Sequence, residues 1–458
     1  MTLADFTTTA DARPASLRDA LGDRVLFAGD PGYDAARVPW NVAVDQRPYA
    51  VVRPETPEEV VEVVRAAAAA GLRVAPQSTG HAAAALADTD LANVVLVSLA
   101  GMRGVTVDPV TRTARVLGGS LWNDVIEATA PHGLTALHGS AGDVSVVGYT
   151  LSGGLSFYAR AHGLAINTVQ AVQVVIADGS LVRASADENA ELFWAMRGGS
   201  GAFGVVVSLE LDLLSYTDVF AGMMLWDASR AVEISHTWAE WTATAPESAT
   251  TTLRVMNFPP LPELPPFLSG RSVVVIDGAI LETDAVASAL LAPLRALAPE
   301  MDTFTRIPAA GLLAVHMDPP GPTPAVTAHS MLMELPAEAV EAFVAAGATP
   351  GVFFAELRHL GGAIARRPEH AGAVASAEGA YLAHTVAMVP FPEAEAEADD
   401  AVRAGLAALE RWKASNLMLN FIDGGADRDA GFGEAVERLR ALKQRFDPHD
   451  VFASAHAL

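Results

Sequence analysis

The sequence predicts an α+β fold with more than one domain. Its 458 residues are too many for one ordinary core, and 51% of them are apolar, which suffices for large buried cores. Strand-like and helix-like segments alternate over the first half, whereas a middle region mixes both and carries most of the prolines. We therefore expect two or three folded domains and no long disordered region.

The composition excludes several classes of function. The net charge is −24, from 30 basic and 54 acidic residues, and no basic patch is present of the kind that a nucleic-acid binder needs. The sequence has no cysteine, which excludes disulfides, thiolate metal sites and a cysteine nucleophile. The 12 histidines show no HExxH spacing, so we expect no metal site.

Neither a membrane span nor a targeting segment is expected. No apolar run approaches the roughly 18 residues of a transmembrane helix. The N-terminal sequence MTLADFTTTADARP lacks the basic start and apolar stretch of a signal peptide. We therefore expect a cytoplasmic protein.

Residues 49–80 predict an α/β unit that ends in a glycine turn. The short strand YAVVR precedes a helix in TPEEVVEVVRAAAAAG, with Thr56 as N-cap, Pro57 at the first helical position and Glu59 completing a capping box. Gly71 ends this helix, and LRVAP forms a second strand that leads into a Ser-Thr-Gly turn. That turn lies at the carboxyl end of a strand, where α/β sheets bind ligands.

The segments that follow predict more strands and a second glycine-rich region. Residues 93–118 alternate as two or three strands, and residues 122–132 read as a helix. The glycine-rich stretch HGSAGDVSVVGYTLSGGLSFYARAHGLAINT precedes a hairpin whose turn is Asp178-Gly179. Further along, PPLPELPPF predicts a surface loop.

One glycine motif is rejected. Gly199, Gly201 and Gly204 match the dinucleotide fingerprint, which must follow a strand and open a helix. Here a helical pattern precedes the glycines and the strand VVVSLELDL follows them, so a nicotinamide-type site is not expected. The overlapping GGSGA ends in Ala202 and therefore does not form a hydrolase nucleophile elbow.

The two remaining glycine turns, at residues 78–80 and 140–145, share one property. Both expose successive backbone N–H groups, and such turns cradle phosphate without positive side chains. A pyrophosphate held by amides would explain how so acidic a chain binds an anionic cofactor. The alternative is that both are tight turns of a sheet-rich domain.

Four blocks carry a resemblance to a known family. They are RPETPEEVVEVVRAAAAAGLRVAPQSTGH, VVGYTLSGGLSFYARAHGLAINTV, ADGSLVRASADENAELFWAMRGGSGAFGVV and ERLRALKQRFDPHDVF. Together they resemble the berberine-bridge-enzyme-like FAD-linked oxidases of the vanillyl-alcohol-oxidase and p-cresol-methylhydroxylase (PCMH-type) flavoprotein superfamily. The resemblance covers most of residues 43–215 and about the last forty.

The resemblance implies how FAD is held. In this family the histidine that closes the first glycine turn attaches the flavin through its 8α-methyl group, and His81 holds that place here. The small residues after His81 leave room for a flat ring system. The residues expected to contact FAD are Gln77, Ser78, Thr79, Gly80, His81, Ala82, Ser140, Ala141, Val144, Ser145, Gly148, Thr150, Gly153, Gly204, Val206 and Asn420.

The sequence departs from the family at the attachment site. Many relatives hold the flavin a second time through a cysteine, and the matching residue here is Ala141. The usual arginine four residues before the histidine is Gln77, and the usual Gly-Gly is Thr79-Gly80. We therefore expect a single histidyl link at most.

A second departure concerns the catalytic base. Relatives carry Tyr-x-Asn-Tyr or Tyr-x-Asn-Phe on a late strand, whereas this chain has Met418, Leu419, Asn420 and Phe421. Asn420 is kept as a candidate contact of flavin or substrate. The base must come from elsewhere, or the chemistry needs no strong base.

Three other residues are candidates for the base. In VFFAELRHLGG, Glu356 and Arg358 share one face of a predicted strand, where they form either a buried ion pair or a carboxylate of tuned pKa. Tyr158 and His138, from the second glycine-rich region, are the rivals.

The resemblance also implies the domain organisation. Residues 1–42 form an N-terminal segment of the FAD domain, and residues 43–217 form the two-part PCMH-type FAD-binding domain. Residues 218–415 form a substrate-binding domain with an antiparallel sheet covered by helices. Residues 416–458 return to the FAD domain.

The implied activity is that of an FAD-dependent oxidase. Hydride leaves a C–H bond next to a hydroxyl group of an alcohol, sugar or secondary metabolite for flavin N5, and O₂ reoxidises the flavin to give H₂O₂. The alternatives are an amine oxidase of the hydroxynicotine-oxidase type, a dehydrogenase with another acceptor, and a flavin-retaining binding protein. We expect a small, neutral and fairly apolar substrate between the two domains; the oligomeric state stays open.

Overall fold

The computed structural model describes residues 12–458 as fifteen α-helices and seventeen strands, joined by loops and short 3₁₀ turns. The first eleven residues of the predicted segment 1–42 lie outside the described residues. The helices are α1 (Arg13–Leu21), α2 (Tyr33–Arg37), α3 (Pro57–Ala69), α4 (Ala83–Ala87), α5 (Trp122–Thr129), α6 (Val146–Leu151), α7 (Ala159–His162), α8 (Ala190–Gly199), α9 (Ala231–Thr242), α10 (Asp284–Leu290), α11 (Ala292–Arg295), α12 (Ala337–Gly347), α13 (Glu395–Ala407), α14 (Arg428–Phe432) and α15 (Val436–Phe446).

The strands form three sheets. They are β1 (Val25–Phe27), β2 (Ala50–Val52), β3 (Arg73–Gln77), β4 (Val94–Ser98), β5 (Val105–Asp108), β6 (Thr113–Leu117), β7 (Val169–Val175), β8 (Leu181–Ser185), β9 (Val205–Asp212), β10 (Asp218–Asp227), β11 (Ala249–Asn257), β12 (Ser272–Ile280), β13 (Met301–Asp302), β14 (Thr305–Pro308), β15 (Ala325–Leu332), β16 (Phe354–His359) and β17 (Tyr381–Met388).

The first sheet contains the predicted α/β unit. Its order is β1-β2-β4-β3, with β2, β4 and β3 parallel and β1 antiparallel to β2. The Thr56 hydroxyl caps α3 by accepting a hydrogen bond from the Glu59 N–H at 3.2 Å. Val60, Val63 and Val64 turn from α3 into the core beneath the sheet. Strand, helix and strand therefore follow as predicted, and the glycine turn begins where β3 ends.

The second sheet is antiparallel throughout, in the order β5-β6-β9-β7-β8. Strands β7 and β8 are the predicted hairpin, and Gly179 in its turn has φ of +77°. Helix α8 leads through the Gly199–Gly204 segment into β9. This is the helix-to-strand order on which the dinucleotide fingerprint was rejected.

The third sheet is antiparallel and has eight strands, in the order β13-β10-β12-β11-β16-β17-β15 with β14 beside β10. Leu253, Val255 and Leu357 face one side, where they pack with residues of α9, α12 and α13 in an apolar core. Arg254 and Glu356 alternate with them and face the other side. One face of this sheet is therefore apolar and covered by helices, and the other face is polar.

The end of the chain returns to the first sheet. Phe452 pairs in parallel with Val74 of β3, and the Ala453 N–H donates to the Val74 carbonyl at 2.9 Å. Phe452 is buried in the same core as α3. The predicted α+β class is confirmed, whereas the exact domain boundaries stay a prediction.

Over residues 12–458, none of the helices has both the length and the apolar character that crossing a bilayer would require.

Candidate functional site

A cavity of about 420 Å³ lies among the first two sheets, the polar face of the third sheet and the C-terminal segment. Its walls come from the turn after β3, the loop and helix at residues 139–149, the segment at residues 199–206, strands β15–β17, and residues 419–423 and 454–456. Segments far apart in the sequence therefore share one cavity.

The turn after β3 forms one wall, and its backbone conformation requires glycine. Gly80 has φ of +83°, and a Cβ atom at this position would lie 2.6 Å from Cβ of Pro39. The Ser78 hydroxyl donates to the Gly118 carbonyl at 2.8 Å, which fixes the turn to the next part of the chain.

The backbone of this wall is suited to an anion. Within the described part of the chain, the N–H groups of residues 79–82 and 140–144 have no hydrogen-bond acceptor. Arg358 is the only lysine or arginine among the lining residues that the structure describes. An anionic cofactor would therefore be held mainly by backbone amides, as the two glycine turns predicted.

His81 sits in this wall between three polar or aromatic neighbours. Its Nδ1 lies 2.7 Å from the Thr79 hydroxyl oxygen. Its ring stacks on Trp40 with centroids 4.3 Å apart and planes 18° apart, and the Trp40 indole N–H donates to Asp143 at 2.8 Å. Burial lowers the pKa of His81 to about 4, although the negative charges of Asp143 and Asp318 act to raise it. The imidazole is therefore neutral and oriented at neutral pH.

Asn420 joins the second glycine-rich region to the C-terminal segment. Its side-chain oxygen accepts from the Gly154 N–H at 2.7 Å, and its Nδ2 donates to the Tyr149 carbonyl at 2.9 Å. It lies in a 3₁₀ turn, Leu419–Phe421, and not on a strand as in the resembling family's pattern. The buried Tyr149 hydroxyl has no partner among the described residues, and burial raises the pKa of this phenol.

The polar face of the third sheet forms the opposite wall. Arg358 of β16, His384 of β17 and Thr327 of β15 line it, together with Asp423. Asp423 accepts from the Thr327 N–H at 2.9 Å and from the Gly424 N–H at 3.0 Å. Two charged side chains, Arg358 and Asp423, therefore line this wall.

A buried network of charged groups lies behind that wall. Glu356 accepts from Arg358 Nε at 3.0 Å, and its other oxygen lies 3.3 Å from His316 Nε2. His316 Nδ1 lies 3.1 Å from Asp277, which also pairs with Arg254. Burial alone would raise the pKa of Glu356, but Arg358, His316 and His384 outweigh it and hold that pKa well below its usual range. Glu356 is therefore an anion fixed in place.

Most of the residues predicted to contact FAD line the cavity. These are Gln77, Ser78, Thr79, Gly80, His81, Ala82, Ser140, Ala141, Val144, Ser145, Gly148, Gly204, Val206 and Asn420. Two do not: Thr150 is buried on α6, and Gly153 lies beside Asn420, whose oxygen would be 3.1 Å from an added Cβ.

Of the predicted catalytic residues, only Asn420 lines the cavity. Glu356 lies behind the wall. Tyr158 is fully buried and stacks on Tyr216, with centroids 5.4 Å apart. His138 is buried and its Nδ1 faces the Gly139 carbonyl at 2.6 Å. These three side chains are buried and do not line the cavity.

Several lining residues were missed by the sequence analysis, among them Trp40, Tyr149, Arg358 as a lining group, and His384. Trp40 precedes the first family-like block and has no local signal. His384 lies in YLAHTVAM, where the alternation places it on one face with Leu382 and Val386. That pattern marks a strand face, but it does not show that the face meets a cavity.

This arrangement fits a class of protein that binds an extended anionic cofactor: backbone amides line one side of the cavity, and the polar face of a separate sheet lines the other. Residues 48–185 match the family model described as an FAD binding domain. Xylooligosaccharide oxidase from Thermothelomyces thermophilus is 36% identical over 173 residues, 38% of this chain and 35% of that protein. (R)-6-hydroxynicotine oxidase from Paenarthrobacter nicotinovorans is 32% identical over 206 residues, 45% of this chain and 44% of that protein. The matched region thus spans less than half of each relative.

Solved structures match nearly the whole chain. A variant of the BBE-like 1 protein of Physcomitrella patens has a TM-score of 0.83 at 20% identity, covering 97% of this chain and 98% of the other. Glucooligosaccharide oxidase from Acremonium strictum, whose structure is described with a 6-S-cysteinyl, 8α-N1-histidyl FAD, has a TM-score of 0.80 at 21% identity, covering 97% and 98%. Residues 48–185 thus resemble an FAD binding domain, and the chain has the fold of these solved structures, as its resemblance predicted.

Proposed function

We propose that the protein is an FAD-dependent oxidase that removes hydride from a C–H bond next to a hydroxyl group. The observation that carries this proposal is the single cavity in which the two amide-lined turns and His81 face the polar side of the third sheet. In this proposal residues 43–217 and 416–458 hold the cofactor, and residues 218–415 form the substrate side.

The residues present fit FAD. The unpaired amides of residues 79–82 and 140–144 suit its pyrophosphate, and His81 is neutral and so able to form the single 8α-histidyl link. Ala141 has no side chain that could form a second link. When bound, FAD would accept the two electrons of the reaction, because no side chain of this protein can accept them.

The protein's own residues would position the substrate and keep it dry. Arg358, Thr327 and Asp423 offer fixed donors and acceptors on the wall opposite the turns. Leu155 and Phe421 contribute apolar surface to the same cavity. A substrate held between these groups would present one C–H bond to the cofactor, and the apolar surface beside it would limit its contact with water.

The first experiment tests cofactor and link together. The purified protein is precipitated in acid, and the peptide containing His81 is weighed after digestion, with His81→Ala as the control. Flavin mass on that peptide, lost in H81A, supports the covalent link. Flavin released into the supernatant would remove the link but keep the cofactor, and a protein that takes up no FAD would overturn the proposal.

The second experiment tests the activity. Xylobiose, other sugar oligomers and simple alcohols are incubated with the protein in air, and H₂O₂ is measured against H81A. Formation of H₂O₂ with a hydroxyl compound is the expected result. Flavin that is reduced but not reoxidised by air would instead indicate a dehydrogenase.

One observation favours the amine-oxidase alternative. Asp423 lines the cavity, and a carboxylate there would pair with a cationic amine. 6-Hydroxynicotine is therefore included in the same assay. If this compound gives H₂O₂ and no alcohol does, the amine-oxidase function replaces the alcohol-oxidase function proposed above.

A further inference from the structure

We propose that His384 accepts the substrate proton in this reaction and that Glu356 is the positioning residue that orients its imidazole. The inference rests on the proposed function, because it names the group that this function requires and the sequence lacks. The tyrosine that the family pattern has at position 418 is Met418 here, and position 421, which is Tyr or Phe in that pattern, is Phe421, so neither position offers a phenol.

His384 occupies the part of the cavity where that base is missing. It lines the cavity from β17, and its ring packs edge-on against Phe421 with centroids 5.3 Å apart. Asn420 and Arg358 also line the cavity, and the Arg358 guanidinium lies 5.1 Å from the centroid of the Phe421 ring. The imidazole thus lies beside the Met418–Phe421 segment, in which this chain has no tyrosine.

Glu356 gives this imidazole a defined orientation. The two residues are direct cross-strand partners on β16 and β17, and Nδ1 of His384 lies 3.6 Å from a carboxylate oxygen of Glu356. That Nδ1 atom is buried and has no hydrogen-bond partner among the described residues. Hydrogen bonds of catalytic groups are often long without ligand and shorten when one binds. An Nδ1–H directed at Glu356 leaves the lone pair of Nε2 for the substrate.

The carboxylate is suited to this task because it is held as an anion. Arg358 and His316 contact its two oxygens at 3.0 and 3.3 Å, and His316 is itself held by Asp277 at 3.1 Å. When His384 takes a proton, the resulting cation lies beside a fixed negative charge that need not reorganise. In hydrolase triads, a buried carboxylate likewise orients the histidine and stabilises its protonated form.

The other groups around His384 do not compete with Glu356 for the Nδ1–H of this imidazole. His329 lies directly opposite on β15, where burial lowers its pKa to about 3 and its Nε2 accepts from the Met418 N–H at 3.1 Å. Asp423 is occupied by the Thr327 and Gly424 N–H groups. Arg358 faces the cavity as a cation and cannot accept a proton.

Two lining residues are weaker acceptors. Burial raises the pKa of the Tyr149 phenol, so it carries its proton and donates. Asp423 already accepts three hydrogen bonds from its neighbours. Glu356, the base candidate from the sequence, does not line the cavity and acts only through His384.

The step balances as follows. The O–H bond of the substrate breaks and its proton passes to Nε2 of His384. The adjacent C–H bond breaks and its hydrogen leaves with the electron pair for FAD, while a C=O bond forms. Overall the alcohol loses two electrons, which bound FAD would accept, and O₂ would take them up together with the proton held by His384 to give H₂O₂.

The kinetic test uses the holoenzyme with His384→Ala, His384→Gln and, as matched control, His329→Gln on the neighbouring strand. The loss of flavin absorbance is followed without oxygen. The substrate is whichever compound of the activity assay above reduces wild-type flavin fastest.

We expect flavin reduction in H384A to be about 10²- to 10⁴-fold slower than in wild type, with partial rescue by added imidazole and without the rise in rate with pH. H329Q keeps that rise. An H384A rate within threefold of wild type, or no rescue by imidazole in an enzyme that binds flavin normally, overturns the assignment.

A second measurement needs no substrate, so it separates this inference from failure of the proposed function. ¹⁵N-histidine spectra of the holoenzyme, assigned with H384Q, report which ring nitrogen of His384 carries the proton. We expect the proton on Nδ1 in wild type and a mixture in Glu356→Gln. A proton on Nε2 in wild type overturns the orientation, even if every compound of the panel is inert.

Discussion

The hydroxyl oxygen of Thr79 lies 2.7 Å from Nδ1 of His81. Thr79 stands at the position where the family-like pattern has a glycine. One of the two ring nitrogens is therefore already engaged. Nε2 has no hydrogen-bond partner among the described residues. An Nδ1–H donated to Thr79 leaves the lone pair on Nε2, which is the nitrogen we expect to bond to the flavin.

Replacing Thr79 with valine tests that relationship. T79V keeps the shape but removes a hydrogen bond of about 1 kcal/mol, so covalent flavin attachment slows by roughly fivefold. The measurement is flavin fluorescence on denaturing gels after FAD is added to apoprotein. Thr79→Ser keeps the hydroxyl and should match wild type. Equal rates in all three proteins would show that the hydroxyl has no part in attachment.

Removing the Asn420 amide should destabilise the protein. N420A leaves the Gly154 N–H and the Tyr149 carbonyl without their partner, at a cost of about 1–3 kcal/mol each. Unfolding in urea measures the loss, and flavin content measures the effect on the cavity. Asn420→Asp, which keeps only the acceptor, should lie between. A stability equal to wild type would mean that water replaces the amide.

The Glu356–Arg358 pair should show strong coupling. E356Q or R358M alone leaves a buried charge without its partner, with an expected loss of about 3–5 kcal/mol. The double variant should lose less than the sum of the two single losses. Denaturant unfolding of all four proteins gives the coupling energy. Additive losses would indicate that other neighbours already compensate each charge, namely His316 and His384 for Glu356 and Asp318 for Arg358.

The free energy of unfolding should fall as the pH drops below 6.5. Burial lowers the pKa of His138 and of His456 to about 4, so between pH 6.5 and 4 the unfolded chain binds protons that the folded chain does not. Stability is complete above pH 6.5 and decreases by up to about 1.4 kcal/mol per pH unit for each such histidine. Urea unfolding at pH 7, 6 and 5 measures the slope.

His138→Gln provides the comparison for that slope. It removes one of the groups that must stay neutral, so the pH dependence becomes shallower by up to one proton. A slope unchanged in H138Q would assign the effect to the other buried histidines.

Much of the fold was predictable because its signals are local. The Thr56 cap and Gly71 bound α3, and the Asp178-Gly179 turn sets the β7–β8 hairpin. Each signal acts within a few residues, so the sequence alone contains it. The assignment of the FAD binding domain came from four blocks taken together, since none of them is specific alone.

The lining of the cavity was predictable on the side of the glycine turns and not on the side of the third sheet. The glycine turns carry their amides in their own backbone, so their position in the cavity follows from the local sequence. Arg358 and His384 line the cavity only because β16 and β17 pair and their polar face meets the C-terminal segment. Such a meeting depends on tertiary packing, which strand periodicity does not report.

The C-terminal return has a consequence for biosynthesis. Ser454, Ala455 and His456 line the cavity, and Phe452 is held against β3, which is made far earlier. A ribosome exposes the glycine turns long before it completes their opposite wall, so a nascent chain has no closed site in which to retain FAD. We therefore expect cofactor loading to follow translation of residue 456. The flavin absorbance of a preparation would then measure only those molecules in which the C-terminal segment has packed against β3.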